Sequence, residues 1–183
     1  MINLPSPYPN CLTRNDGNRI RIGKSFIRMH KRPKKRTIGR RELIDFPELE
    51  LFEIEAKVDT GAYTSALHCT DIREETLPDG TPVIRCKFMD EDHPNYNNKA
   101  FEFREFTQRD IKNSFGDVQE RYVIKTPVRL FDKAIMAEFS LSDRSDMRYP
   151  VLIGRMLLNR HFVVDVSRKN VAYKYRLKQE KKN

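Results

Sequence analysis

Short runs in which apolar and polar residues alternate recur along this chain from Arg41 onward, separated by turn residues. The clearest cover residues 51–58, 83–88 and 100–106, each with a period close to two. Alternation of this kind is typical of strands that bury one face and expose the other. We therefore predict an all-β protein, folded as a closed β-barrel with little helix.

Two hairpins are predicted in the C-terminal half of the chain. The first joins residues 122–130 to 134–141, and the second joins residues 162–166 to 171–175. Between the hairpins an apolar run ends in glycine, and one short helix is expected directly after it, over residues 155–159. No internal repeat interrupts this pattern.

One carboxylate occupies a special place, because it stands where an apolar run turns sharply into a second one. Residues 56–67 read AKVDTGAYTSAL, with Asp59 at the turn. Gly61 lets the backbone turn without a Cβ in the way, and the Thr60 hydroxyl can hold the loop by bonding to backbone. A carboxylate held rigidly in this way can act as a base on water.

A second segment makes the Asp-Thr-Gly triplet a more specific signal. Residues 149–158 read YPVLIGRMLL, an apolar run that ends in glycine. Together the two segments resemble the retropepsin-like aspartic peptidases. With residues 38–42, IGRRE, they resemble the bacterial branch often labelled "ATP-dependent zinc protease", whose members are associated with RimK-type amino-acid ligases. The resemblance covers roughly residues 37–174.

This resemblance implies a retropepsin-like (acid protease) barrel and a set of site residues. The residues implied in catalysis are Asp59, Thr60 and Gly61. The residues implied in substrate binding or structural support are Ala62, Ile153, Gly154 and Arg155. The implied substrate is a peptide or protein.

Aspartic peptidases need two carboxylates a few ångströms apart, and this chain has one Asp-Thr-Gly. Asp165 is a second apolar-flanked aspartate, but no Thr-Gly follows it. The simplest solution is a homodimer in which each chain contributes Asp59 across a two-fold axis. Tyr63 replaces the aspartate that retroviral members carry, so Arg155 lacks its usual partner.

The charge of the chain is unevenly distributed. The formal net charge is +9, yet residues 19–41 hold eleven Lys or Arg and no acid, whereas residues 42–167 hold 16 basic and 24 acidic residues. We predict a basic disordered N-terminal tail over 1–36, a peptidase domain over 37–175 and a basic C-terminal tail over 176–183. A solvated arm is the preferred interpretation of such tails, and contact with nucleic acid is the less favoured alternative.

Nothing in the sequence indicates a membrane or secretory protein. No stretch has the apolar length of a membrane span, and residues 1–18 lack the pattern of a signal peptide. Met29 precedes the first family-like residues, and one hypothesis makes it the natural start. Three cysteines are expected to be free thiols, as in a cytoplasmic protein without membrane partners.

The label "zinc protease" leads to three weak metal candidates, His68, Cys86 and His93. They show no His-Glu-x-x-His or Cys-x-x-Cys spacing. His68 is also followed directly by Cys69, and adjacent residues of a strand point to opposite faces. We therefore predict no metal and no other cofactor, with zinc as the weaker alternative. No phosphate-binding loop supports the ATP half of the label.

Three functions follow in order of preference. The first is an aspartic endopeptidase that hydrolyses peptide or isopeptide bonds with water activated by two Asp59 side chains. The second is a catalytically silent barrel that serves as a binding module for a RimK-type ligase system. The third is a zinc-dependent protease.

Overall fold

The computed structural model describes residues 34–112 and 116–182, apart from the side chain of Arg160, together with the backbone of three short strands nearer the N-terminus. The chain divides into two compact units, Met1–Lys34 and Lys35–Asn183. In the first unit, β1 (Arg14–Asn15), β2 (Arg19–Ile22) and β3 (Ser25–Arg28) form an antiparallel sheet. Residues 34–36 of the predicted disordered tail are also described, and Arg36 opens a strand. The remaining residues of that tail, with Cys11 and Met29, lie outside the described residues.

The second unit is built mainly from strands, as the sequence predicts. Its strands are β4 (Arg36–Gly39), β5 (Arg41–Phe46), β6 (Leu51–Val58), β7 (Ser65–Thr76), β8 (Pro82–Phe88), β9 (Ala100–Phe103), β10 (Phe106–Lys112), β11 (Val118–Leu130), β12 (Lys133–Ser142), β13 (Val151–Ile153) and β14 (Phe162–Asp165). Its helices are a 3-10 turn (Pro47–Leu49), α1 (Arg155–His161) and α2 (Val171–Glu180).

Most of these strands belong to one sheet, in the order β10-β11-β5-β6-β13-β7-β8-β9. Strand β12 pairs antiparallel with β11 and parallel with β7. The short strand β13 lies between β6, which is parallel to it, and β7, which is antiparallel. The segment before Asp59 and the segment before Gly154 are therefore neighbours in the sheet. Separately, β14 pairs parallel with β4.

The alternating pattern of β6 contains one break that the structure explains. Leu51 and Ile54 are both buried although they are three residues apart. Between them Glu53 adopts a left-handed backbone with φ 55° and donates its N–H to Oδ1 of Asp45 at 2.8 Å. This bulge shifts the phase of the strand by one residue, so that both apolar side chains reach the core.

Aromatic and branched aliphatic side chains from several strands form the core. Phe46 and Phe139 meet edge to face with ring centroids 5.1 Å apart. The largest fully buried side chains are Phe46, Phe88, Phe139, Ile38, Ile44, Leu51, Ile54, Leu67, Ile84, Met89, Ile124 and Leu130. The core therefore lies against the strands that carry Asp59 and Gly154.

The predicted hairpin of residues 122–130 and 134–141 is confirmed by β11 and β12, and α1 confirms the predicted helix after the glycine. The second predicted hairpin is wrong, because residues 171–175 open α2 rather than a strand. This second helix runs on to Glu180, within the predicted C-terminal tail. Its start is fixed by a carboxylate far away in sequence, which no local pattern reveals.

That carboxylate belongs to Glu42, which is fully buried. Its Oε1 accepts hydrogen bonds from the N–H of Gly39 at 2.7 Å and of Val171 at 2.9 Å, and its Oε2 accepts one from the N–H of Ala172 at 2.9 Å. The first N–H groups of a helix lack partners within the helix, and an anion stabilises them. The family-like segment of residues 38–42 thus has a structural role.

Glycine is required at position 39 because two backbone segments approach each other there. A Cβ there would lie 2.5 Å from the carbonyl oxygen of Arg168, so only glycine allows the two backbones to approach. Arg40 then donates its N–H to the same carbonyl at 2.9 Å. In the described residues, no helix is both long enough and apolar enough to cross a membrane.

Candidate active site

Asp59 lies at the end of β6, half-buried, in a loop that its own side chain organises. Its Oδ1 accepts hydrogen bonds from the backbone N–H of Gly61 at 2.8 Å and of Ala62 at 3.2 Å. These contacts fix the orientation of the carboxylate relative to the turn. None of the described hydrogen bonds uses Oδ2, so this oxygen is available to water or to a partner group.

Strand β13 and the start of α1 brace this loop from the other side. The N–H of Asp59 donates to the carbonyl of Ile153 at 3.0 Å. The N–H of Arg155 donates to the carbonyl of Ala62 at 2.8 Å, and the N–H of Met156 donates to that of Tyr63 at 3.1 Å. Backbone hydrogen bonds on both sides of the carboxylate therefore hold the loop to the sheet.

Gly154 sits where the two segments touch most closely. A Cβ at this position would lie 2.6 Å from the carbonyl oxygen of Thr64 and 2.8 Å from that of Tyr63. Its N–H donates to the hydroxyl of Ser65 at 3.1 Å, and Ser140 donates its hydroxyl to the carbonyl of Ser65 at 3.1 Å. A side chain at position 154 would push the Asp59 loop away from β13.

The remaining loop residues are open to solvent. Thr60 and Gly61 are exposed, and the hydroxyl of Thr60 has no hydrogen-bond partner among the described residues. A Cβ on Gly61 would lie 3.2 Å from Oδ1 of Asp59 and would crowd the carboxylate. The exposed Thr60 hydroxyl is free to bond across an interface.

The structure brings all seven residues implied by the resemblance into one place. Four of them form the loop of residues 59–62, and the other three, residues 153–155, bond to it or pack directly beneath it. Only the side chain of Arg155 stands apart. It is exposed and forms no ion pair in the described part of the chain, and Tyr63, at the position of the missing aspartate, is 64% exposed.

Asp165, the other aspartate considered, is not part of this loop. Its Oδ1 accepts hydrogen bonds from the N–H of Ser167 at 3.0 Å and from the hydroxyl of Ser167 at 2.6 Å. These bonds hold the pKa of the Asp165 carboxyl below its usual value. Its strand, β14, pairs with β4 rather than with β6 or β13.

Arg144 is a residue near the site that the sequence pattern did not reveal. It is half-buried, and burial lowers the pKa of its guanidinium; nearby Arg121 lowers it further, whereas the negative charge of Asp59 raises it. Its side chain donates through Nε to the carbonyl of Tyr149 at 3.2 Å. A desolvated positive charge thus lies within electrostatic reach of Asp59.

His68 holds the loop that carries Arg144. Its side chain is buried, and its Nδ1 accepts the backbone N–H of Arg144 at 2.8 Å. Its Nε2 lies 3.0 Å from Oδ1 of Asp90, although the pair lacks the alignment of a hydrogen bond. Since Nδ1 already accepts a proton donor, the neutral ring must carry its own proton on Nε2.

The weak metal candidates do not assemble into a centre. Among the described residues no group of three or more His, Cys, Asp or Glu side chains is placed to hold a metal ion. Nδ1 of His68 is occupied by Arg144, and Nδ1 of His93 accepts the N–H of Asn95 at 3.1 Å. One nitrogen of each ring is therefore engaged by a backbone N–H.

The two cysteines of the described region are buried and free. A hydrogen bond with Cys86 and then burial raise the pKa of the Cys69 thiol far above its ordinary value. Both effects disfavour the thiolate, which is the form that binds metals and reacts as a nucleophile. These thiols therefore belong to the core.

A groove of about 990 Å³ runs beside the Asp59 loop. Thr60 and Tyr63 contribute to its lining from the loop, and Met156 contributes from α1. On β12, Met136 adds an apolar side chain that is 64% exposed. Exposed apolar side chains around a rigid polar loop are typical of a surface that binds another molecule.

The fold and this loop define a retropepsin-like domain with one Asp-Thr-Gly arm. The family model described as "RimB-like: Retropepsin-like aspartic endopeptidase RimB" matches residues 37–175. The chain belongs to this family.

Several curated relatives carry the name of a different enzyme. Residues of this chain are 34% identical over 134 residues to a "Probable alpha-L-glutamate ligase" of Shewanella halifaxensis, covering 71% of this chain and 28% of that protein. A protein of the same name from Desulfotalea psychrophila is 33% identical over 135 residues, covering 72% and 28%. The chain thus spans less than a third of the length of the relatives it matches.

One solved structure is similar over nearly its whole length. It is the crystal structure of Lpg0085, a protein of unknown function from Legionella pneumophila subsp. pneumophila. The TM-score is 0.56 at 22% identity, and the match covers 76% of this chain and 99% of that chain. This similarity concerns the fold.

Proposed function

We propose that this protein is an aspartic endopeptidase whose catalytic pair consists of Asp59 from each of two copies. The observation that carries the proposal is the Asp59 loop itself. One carboxylate oxygen is fixed by the N–H groups of Gly61 and Ala62, and none of the described hydrogen bonds uses the other. Two such carboxylates close together cannot both be ionised, so the pair holds one proton. The ionised member then removes a proton from water while the protonated one polarises the scissile carbonyl.

The fold that would carry this pair is, in our proposal, a closed barrel. The strand pairings lead from β11 through β5, β6, β13, β7 and β12 and return to β11. The contact between β11 and β5 is short, with one registered pair, Arg129 and Asp45. Their side chains reinforce it, because Arg129 donates to Oδ2 of Asp45 through Nε at 2.9 Å and through a terminal nitrogen at 2.6 Å.

A homodimer is part of the proposal because one copy supplies one Asp-Thr-Gly. The surface at and beside the loop offers hydroxyl and apolar groups to a partner. It consists of Thr60, Tyr63, Met136 and Met156. Two-fold symmetry would bring the same surface of the second copy against it. The exposed Thr60 hydroxyl is placed to bond to the partner loop.

The substrates we propose are peptide or isopeptide bonds next to glutamyl residues. In the relatives named alpha-L-glutamate ligase, the region similar to this domain forms 28% of the relative's own chain. The positive charge of Arg144 near Asp59 would favour acidic side chains around the scissile bond. A hydrolase of this kind would act on the type of bond that such a ligase forms.

We also infer a cytoplasmic location. Cys69 and Cys86 are free and close enough to share a hydrogen bond. Thiols this close are commonly oxidised to disulfides in secreted proteins, whereas cytosolic proteins keep them reduced.

The test is the Asp59→Asn variant, assayed on glutamyl peptides by mass spectrometry of the products. Asparagine keeps the size of the side chain but cannot share a proton in the pair, so we expect loss of turnover with an unchanged fold. Asp165→Asn is the matched control and should keep activity, since Asp165 lies on β14 in its own turn. Turnover by Asp59→Asn would overturn the proposal.

A second candidate function is a binding module that serves a ligase and does not turn over substrate. The ligase name of the relatives favours it. Sedimentation of the purified chain discriminates the two, because a strict monomer has no second Asp59 and no catalytic pair. Binding of glutamyl peptides by a monomer without cleavage would support this alternative.

A further inference from the structure

A second groove, which shares no lining residue with the groove beside the Asp59 loop, has an unusual lining. It lies along α2 and the loop before it, with a volume of about 710 Å³. Five exposed cationic side chains line it, and none of them forms an ion pair or a side-chain hydrogen bond within the described residues. They are Arg168, Lys169, Lys174, Lys178 and Lys181.

Two lysines of α2 and the lysine directly after it form one continuous stripe. Lys174, Lys178 and Lys181 follow one another at intervals of four and three residues, which places them on the same side of the helix. At 1.5 Å per residue the stripe is about 10 Å long. The arginine of this helix is used differently, because Arg176 donates to Oδ1 of Asp45 and to the carbonyl of Arg129, both at 3.4 Å.

Helix stability does not explain all of these charges. Lysines near the C-terminal end of a helix, such as Lys178 and Lys181, interact favourably with the helix dipole. Arg168 and Lys169, however, precede the N-terminal end of α2, where positive charge is unfavourable. Asp165 is the one described anion near Arg168, and none is described near Lys169. This excess of positive charge suggests that a further anionic partner comes from another molecule.

One further cation lies over the aromatic part of the lining. It is Arg36, the first residue of β4, whose guanidinium also forms an ion pair with Asp132. The guanidinium carbon of Arg36 lies 3.7 Å from the ring centroid of Phe131 and 4.3 Å from that of Tyr175. Both rings also line the groove. Arg36 therefore covers the aromatic part of the groove lining.

We propose that this groove binds the phosphate backbone of a nucleic-acid duplex without regard to sequence. Closely and regularly spaced phosphates match a stripe of point charges, and lysine is a common phosphate-binding residue. The site is separate from the proposed peptidase function, because it shares no residue with the Asp59 loop or its groove.

Two observations favour a duplex over other polyanions. Four of the five cations are lysines, whereas recognition of carboxylates favours the planar fork of arginine. Phe131 and Tyr175 pack edge to face with centroids 5.6 Å apart, and Arg36 covers both rings. They are therefore not available to stack on the unpaired bases of a single strand.

The test is the salt dependence of binding, measured with the full chain by fluorescence anisotropy on a labelled 20-base-pair DNA duplex. The triple variant Lys174→Gln, Lys178→Gln, Lys181→Gln removes the stripe. The slope of log K against log salt should become less steep by about one unit per lysine, and affinity at 0.1 M salt should fall at least about tenfold.

The matched control removes three exposed lysines elsewhere, Lys57→Gln, Lys99→Gln and Lys112→Gln. It loses the same net charge and should keep a slope close to that of the wild type. A third variant with arginine at 174, 178 and 181 keeps the charge and should restore binding, which separates charge from helix stability. Circular dichroism checks that each variant is folded.

A triple variant that matches the wild type or the control in slope and affinity would overturn the proposal. Displacement of the duplex by poly-L-glutamate at an equal or lower concentration of charge would also overturn it and identify an acidic polypeptide as the ligand. Failure here leaves the peptidase proposal untouched, because Asp59→Asn should bind the duplex like the wild type.

Discussion

The carboxylate of Glu42 accepts a hydrogen bond from the backbone N–H of Ala172 across 130 residues of sequence. The same carboxylate also accepts hydrogen bonds from the N–H groups of Gly39 and Val171. Glu42 therefore couples the start of the domain to its last helix. The carboxylate is fully buried, and its bonds to N–H groups offset the cost of burying its charge.

Glu42→Ala should therefore reduce the free energy of unfolding by about 2–4 kcal/mol, because it leaves buried N–H groups without partners. Urea denaturation followed by far-UV circular dichroism measures the loss. Glu55→Ala is the control, since Glu55 is exposed and its ion pair with Arg41 is long, at 3.7 Å; we expect a change within about 0.5 kcal/mol. Equal values for the two variants would contradict the role given to Glu42.

Gly154→Ala should destabilise the domain by about 1–3 kcal/mol, because its Cβ would lie 2.6 Å from Thr64. Gly39→Ala is the matched control. Gly39 lies on β4 rather than at the Asp59 loop, and a Cβ there would lie 2.5 Å from the carbonyl oxygen of Arg168. Thermal denaturation should show similar losses. Turnover measured well below both melting temperatures should fall only in Gly154→Ala; equal turnover would argue against β13 as the support of the catalytic loop.

The stability of the fold should depend on the protonation of His93. Burial lowers the pKa of His93 from its ordinary value of 6.5, and the nearby His68 lowers it further. Its Nδ1 accepts the N–H of Asn95, a bond that only the neutral ring can accept.

A lowered histidine pKa means that the unfolded chain binds the proton more readily. The contribution of His93 is therefore fully present above about pH 6.5 and is lost as the pH falls through the lower, folded-state value. The melting temperatures of the wild type and of His93→Gln are compared from pH 7.5 to 5. Over this range the melting temperature of the wild type should fall further than that of the variant. His161→Gln, at an exposed site, should follow the wild type at every pH.

Arg144→Gln should lower kcat/KM on glutamyl peptides by about tenfold, because it removes the desolvated positive charge near Asp59. Arg148→Gln lies in the same loop, is exposed, and serves as the control. His68→Ala should reproduce part of the defect by releasing the Arg144 backbone. Full activity in Arg144→Gln would remove Arg144 from the site.

Sequence patterns predicted the parts of this fold that depend on neighbouring residues. The strand of residues 51–58, the hairpin of β11 and β12 and the helix after Gly154 each follow from local alternation or from a glycine. The position of Gly154 against the Asp59 loop came from the family resemblance, which carries long-range information that one sequence alone lacks.

The features that the sequence did not predict depend on contacts between residues far apart in the chain. Residues 171–175 alternate like a strand, yet they are helical because Glu42 satisfies the first N–H groups of α2. Arg144 appears in sequence as part of a polar loop, and its backbone bond to the buried His68 ring cannot be inferred from the local pattern. In both cases a buried side chain from a distant strand decides the outcome.

The bond between Gly154 and Ser65 joins positions 89 residues apart. A nascent chain leaving the ribosome cannot complete the Asp59 loop until β13 has also emerged. A partly made copy would therefore hold Asp59 in a loop that β13 does not yet support. The order of the elements along the chain thus delays completion of this loop until β13 has been made.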